Sequence, residues 1–176
     1  MAIQNLFFAI IEKMGQIQIV DSNDQFITCK TRDKVDFKKD IYRVSALWLT
    51  NSKGEILLAR RKKTKDHDPG KWGPAVAGTV EEGETYKSNI YKEAEEELGL
   101  VDLKFSLGPK IRYYKFRNYF CQWFTLTLDR KIEEFTVCEE EVEGIAWVAC
   151  DKLVEDIRKY PENYMSSMPK VIETFL

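Results

Sequence analysis

The sequence predicts a single mixed α/β domain, and three observations carry that expectation. The chain has 176 residues, 44% of them hydrophobic and 32% charged, which suits one domain with a sizeable core. Segments with strand character outnumber those with helical character. The two kinds are also interleaved rather than grouped. Lys and Arg number 27 against 29 Asp and Glu, a formal net charge of −2. No global positive field therefore gathers nucleic acid, and long nucleic acid is not an expected partner. No apolar run approaches a membrane span. Lys13 is the lone basic residue near the start, so no signal-peptide n-region is expected. Cys29, Cys121, Cys138 and Cys150 are far apart and form no CxxC pair. They read as reduced thiols, mostly on strands, of a soluble cytoplasmic protein without a membrane partner.

In chain order, Ile3, Leu6, Phe7, Ile10, Ile11 and Met14 trace one helical stripe, an amphipathic N-terminal helix over 1–15. Its apolar face packs on the core or forms a partner surface, in a monomer or homodimer. Residues 16–20 and 25–31 read as strands around the polar turn Asp21–Asp24. Residues 44–50 and 55–60 form a second hairpin across Asn51-Ser52-Lys53-Gly54, and a basic, breaker-rich loop follows to Trp72. Residues 85–98 are helical, with Thr85 as N-cap and Gly99 as stop. Strands are expected over 103–107, 111–116 and 119–128. An acidic loop, Glu139 to Glu143, leads into a strand over 145–149. Asp151 then caps a helix that Pro161 breaks before a last helical stretch.

On the helix over 85–98, Glu93, Glu96 and Glu97 fall within one arc of about 100°, beside an apolar arc of Ile90, Ala94 and Leu98. Carboxylates crowded at the edge of a buried face repel one another and lose solvation. A hard divalent cation such as Mg²⁺ relieves both costs. On spacing alone, a solvated acidic face is the favoured reading of the pattern.

The stretch from Gly78 to Leu100 resembles the Nudix box, G-x5-E-x7-R-E-U-x-E-E-x-G-U with U aliphatic. Gly78, Glu84, Glu93, Ala94, Glu96, Glu97, Gly99 and Leu100 fall on it, and Lys92 stands where the pattern has Arg. Lys keeps the charge and loses the planar fork. The turn at Asn51–Gly54, the run Leu57–Arg61 and the segment Pro69–Gly78 resemble the Nudix branch related to isopentenyl-diphosphate isomerase. Ala77 occupies the place of the isomerase's catalytic cysteine. Tyr42 and Thr79 stand for two of its histidines, and His67 is the chain's one histidine. Isomerase activity is therefore not expected, and His67 reads as an exposed loop residue.

The resemblance implies a Nudix-type α/β/α sandwich over 16–176, with a central mixed sheet and the box as a loop-helix-loop. It implies a Mg²⁺-dependent pyrophosphohydrolase, with Mn²⁺ as the alternative ion, acting on a small nucleoside diphosphate-linked or nucleoside di- or triphosphate substrate. Glu93, Glu96 and Glu97 would be the catalytic acids and, with the Gly78 carbonyl, the metal ligands. Glu139, Glu140 and Glu141 are candidates for a further acidic ligand or base. Arg60, Arg61 and Lys71 are candidates for phosphate contacts, and strand alternation lets only one of the two arginines face the site. Trp72, Trp123, Phe120, Tyr113 and Tyr114 are each read as packing before base stacking. The alternatives are a nucleotide-binding regulator without turnover, disfavoured because every box carboxylate is present, and mRNA decapping, disfavoured by the missing basic groove.

Overall fold

The structure is a computed structural model, and it describes residues 15–176; the amphipathic helix expected over 1–15 lies almost wholly outside them. Nine strands and three α-helices are built around β3 (Ile41–Thr50). One edge of β3 pairs in parallel with β8 (Tyr119–Thr127) along its length. The other edge meets β1 (Gln16–Val20), β6 (Val76–Thr79) and β4 (Glu55–Arg61) in turn, all antiparallel. β2 (Phe26–Thr31) extends β1, β7 (Ser106–Tyr113) extends β8, and β4 carries both β5 (Trp72–Pro74) and β9 (Val142–Ala149). The sheet is therefore mixed, as expected.

Alternation along β3 divides the core. Leu47 and Leu49 face α1 (Tyr86–Leu98), packing with Ile90, Ala94 and Leu98. Ala46 and Trp48 face α2 (Cys150–Lys159) and α3 (Met168–Phe175), packing with Leu153, Ile157, Met168 and Val171. Helices on both faces of one sheet give the α/β/α sandwich. Among the described residues, no helix is long and apolar enough to cross a membrane.

The α1 boundaries follow their sequence signals. Thr85 accepts from the Ser88 amide at 3.0 Å while the Ser88 hydroxyl accepts from the Thr85 amide at 2.8 Å, a closed capping box. Gly99 ends the helix at φ 63, in the left-handed region.

Other boundaries differ. The strands expected over 103–107 and 111–116 are one strand, β7. Gly108-Pro109 does not break it but forms a bulge, with the Gly108 carbonyl accepting from Gln122 Nε2 at 2.9 Å. β5 and β6, three and four residues long, begin at the end of the expected loop, and β6 lies in a stretch to which the sequence assigned no element. β9 begins at Val142, shortening the acidic turn. Ala149, not Asp151, occupies the N-cap of α2, and Asp151 lies in its first turn. The four cysteines are free, but only Cys29 and Cys121 lie on strands.

Candidate active site

The box helix is fastened to the sheet through Asn89, which is fully buried. Its amide nitrogen donates to Glu84 Oε2 at 2.9 Å, Glu93 Oε1 at 3.2 Å and the Thr79 carbonyl at 3.2 Å, while its oxygen accepts from the Ser45 hydroxyl at 2.5 Å. Lys92 adds an ion pair to Glu84 at 2.7 Å and a looser one to Glu93 at 3.8 Å. The orientation that a planar Arg fork would give is thus shared between a Lys charge and a buried amide. Burial pushes the Glu84 carboxyl up, but Lys92, the Glu81 amide and Asn89 outweigh it and hold the group below its usual range.

Glu93 lies against Gly78. A Cβ there would come within 2.3 Å of the Glu93 side chain, so only glycine lets the strand pass. Burial raises the Glu93 carboxyl above its ordinary range, Glu96 adds to this, and Lys92 and Asn89 oppose it. Glu97 is perturbed most. Burial, then Glu93 and Glu141, push it up to about 8 against Arg61 and the Ala77 amide.

Glu141 reaches this group because the C-terminal end of α1 anchors the acidic turn. The Thr136 amide donates to the Leu98 carbonyl at 3.3 Å, and the Cys138 amide to the Glu97 carbonyl at 2.9 Å. Glu141 pairs with Lys65, and its carbonyl accepts from the Lys62 amide at 3.0 Å. Glu139 and Glu140 are exposed on the turn, and Glu96 is exposed on the outer edge of the α1 face. Among the described residues, no three His, Cys, Asp or Glu side chains converge as a formed metal cage. The carboxylates are neighbours by charge, and Arg61 only partly offsets the burial and repulsion that fall on Glu97.

The two arginines ending β4 diverge, with a register shift between them. Arg60 turns to Glu143 at 3.2 Å and donates to the Gly70 carbonyl at 2.9 Å. Arg61 donates to the His67 carbonyl at 3.1 Å and lines a cavity of about 490 Å³. Burial lowers its pKa, opposed by Asp68, Glu97 and Glu141. Lys71 is held to Asp68 at 3.2 Å and is not part of the cavity wall. His67 is not the exposed loop residue the sequence suggested. It is partly buried in the wall, with Nδ1 3.4 Å from Arg61, and burial together with Arg117 and Arg61 drives its pKa down to about 4.

The cavity runs from Arg61, Ala77 and Gly78 along the α3 side of the sheet to Tyr42, Tyr113 and Tyr119. Trp123 is core, 2% exposed, and also borders this space, whereas Tyr114 stands 78% exposed at its rim. Trp72 is partly buried against the α2–α3 core, and Phe120 lies under the Arg112 guanidinium at 4.6 Å. Asn89 and Arg117 have no signal in the sequence read alone, because only the tertiary fold brings the one to the box carboxylates and the other to the cavity.

The model of the family described as the NUDIX domain matches residues 40–171. An uncharacterized Nudix hydrolase of Yersinia pestis is 27% identical over 151 residues, 81% of this chain and 81% of the relative. The crystal structure of DR0079 from Deinococcus radiodurans superposes with a TM-score of 0.80 at 21% identity, over 90% of this chain and 97% of that one. The Nudix domain of Shewanella oneidensis NrtR, complexed with ADP ribose, superposes with a TM-score of 0.58 at 13% identity, over 76% and 84% of the two chains.

Proposed function

The chain belongs to the Nudix family and is a pyrophosphohydrolase, and we propose that it cleaves a phosphoanhydride bond in a small nucleoside diphosphate-linked or nucleoside di- or triphosphate substrate with Mg²⁺. The observation that carries this reading is the run of box carboxylates on α1, with Glu93 against Gly78 and Glu97 within the electrostatic reach of Arg61, which lines the cavity. Glu93, Glu96, Glu97 and the Gly78 carbonyl would hold the ion, with Mn²⁺ as the alternative. When bound, the cation supplies charge neutralisation at phosphoryl oxygens and a lowered pKa for a bound water.

The chain's own residues do the rest. Arg61 binds the phosphoryl group and is held in place by the His67 carbonyl. Glu141, beside Glu97 and Arg61, takes the proton from the attacking water. Asn89 and Lys92 orient Glu84 and Glu93. The ADP ribose held by the NrtR Nudix domain is a ligand of the proposed kind.

The relation to the isopentenyl-diphosphate isomerase branch rests on the flanking motifs. Isomerisation is not part of the proposal, because Ala77 faces the cavity where that chemistry needs a thiol acid. A hydrolysis panel with direct chromatographic or mass-spectrometric detection of products tests the reading with Mg²⁺ and with chelator, spanning nucleoside di- and triphosphates, nucleotide sugars, ADP-ribose, dinucleotides and isopentenyl diphosphate. Metal-dependent cleavage of a nucleotide substrate is expected. Silence across the nucleotides, or turnover of isopentenyl diphosphate alone, would reject it.

A further inference from the structure

The cavity holds more positive charge than one diphosphate bridge requires. Arg32, Arg61, Arg112, Lys115, Arg117 and Lys170 border it, against Asp68 as its one acidic residue among the described residues. Arg61 belongs to the carboxylate end, and Lys170 is paired with Glu173 at 3.4 Å. Arg32, Arg112, Lys115 and Arg117 have no carboxylate within ion-pair distance among the described residues; Arg112 is held by Asn118 Oδ1 at 2.6 Å, Arg32 and Lys115 are exposed, and Arg117 is partly buried.

Arg117 is nevertheless fixed. Its guanidinium lies 4.2 Å from the Phe37 ring centroid, and Nη1 donates to the Tyr42 hydroxyl at 3.5 Å. Neutral partners therefore orient it while leaving its charge uncancelled. Arg117 and Arg32 line the cavity together with Tyr42 and His67, and the charge of Arg117 also reaches Arg61 at the box end.

That corner is displaced from the box. Gly78 pairs with Ser45, and Tyr42 lies three residues further along β3, about 10 Å away at about 3.3 Å per residue. Beside that corner, the Tyr113 hydroxyl and Trp123 Nε1 are buried facing each other, and neither meets hydrogen-bond geometry with any partner among the described residues.

We infer that the substrate carries a second phosphate, a monoester separate from the anhydride to be cleaved, and that Arg117 and Arg32 seat it beside Tyr42. This rests on the hydrolase reading above and adds a substrate class to it. A phosphomonoester carries about −1.5 to −2 charges at pH 7, which matches two guanidiniums, whereas a carboxylate would be satisfied by one. Arginine is suited to the site because its fork binds phosphate oxygens in a fixed plane.

The test is calorimetric titration of the full chain in EDTA at constant ionic strength, which removes turnover from the readout. NADP⁺ is compared with NAD⁺, coenzyme A with its 3′-dephospho form, and UDP-glucuronate with UDP-glucose. The phosphorylated member of at least one of the first two pairs should bind at least tenfold more tightly. Arg117→Ala and Arg32→Ala should each reduce that preference at least fivefold, and Lys38→Ala should leave it intact. Parity in both phosphate pairs, a preference untouched by both arginine variants, or a preference confined to the uronate would each overturn the inference. A retained preference alongside no hydrolysis with Mg²⁺ would support the phosphate seat while rejecting the hydrolase reading, so the two failures are distinct.

Discussion

Replacing Glu97 by Gln should make the metal-free protein more stable at alkaline pH. In the folded state the Glu97 carboxyl is raised from 4.5 to about 8, first by burial and then by Glu93 and Glu141. As pH climbs through that interval, the unfolded chain gives up its proton before the folded one. The folded state then binds more protons than the unfolded state, so stability falls with rising pH. The penalty is absent below about pH 4.5 and complete above about pH 8. At about 1.4 kcal/mol per pH unit its ceiling is near 5 kcal/mol, and water and counterions reaching the site reduce it to about 2 kcal/mol. For a domain of this size that corresponds to about 4–8 °C in Tm. Gln keeps the shape and removes the charge. In EDTA, scanning calorimetry should show the variant melting about 4–8 °C above the parent at pH 8.5 and level with it at pH 4.5. Saturating Mg²⁺ should raise the parent and move the variant less. A variant equal to or less stable than the parent at pH 8.5 would refute the charge crowding and the ion site built on it.

The remaining predictions concern neighbouring contacts. Gly78→Ala puts a methyl 2.3 Å from the Glu93 side chain, which must swing away; kcat should fall about 10²-fold or more with a small change in Tm, and a normal rate would show that Glu93 is not needed in place. Arg61→Ala should raise KM for an anionic nucleotide about tenfold or more, while Arg60→Ala, turned toward Glu143, should change it little; equal effects would contradict the placement. Asn89→Ala leaves Ser45 and the Thr79 carbonyl without a buried partner and should cost about 1–3 kcal/mol in denaturant unfolding. A neutral result would deny it the anchoring role.

What the sequence revealed was local. The cap at Thr85, the stop at Gly99 and the apolar stripe of Ile90, Ala94 and Leu98 are set by neighbours within a few residues, and all appear in α1. Arg60 and Arg61 diverge across the register shift at the end of β4, Arg60 to Glu143 and Arg61 to the cavity. The parts that could not be read depend on long-range pairing. Val76–Thr79 is a strand because β3 supplies its hydrogen bonds, not because Gly78 and Pro74 favour extended backbone. Gly108-Pro109 is a bulge because the partner β8 continues past it. Three adjacent acids are equivalent in sequence, yet α1 carbonyls anchor the turn so that Glu141 pairs with Lys65 and its charge reaches Glu97, while Glu139 and Glu140 are exposed. His67 is partly buried because Arg61 and the cavity wall enclose it, which no loop pattern announces.

The most direct test of the central claim is hydrolysis of the best nucleotide substrate in H₂¹⁸O, with mass spectrometry of both products and with Mg²⁺ present or chelated. The account predicts one ¹⁸O on the phosphorus of one product, formed only with the metal and lost in Glu97→Gln. Label incorporation at the same rate in EDTA, or in the Glu97→Gln variant, would contradict it.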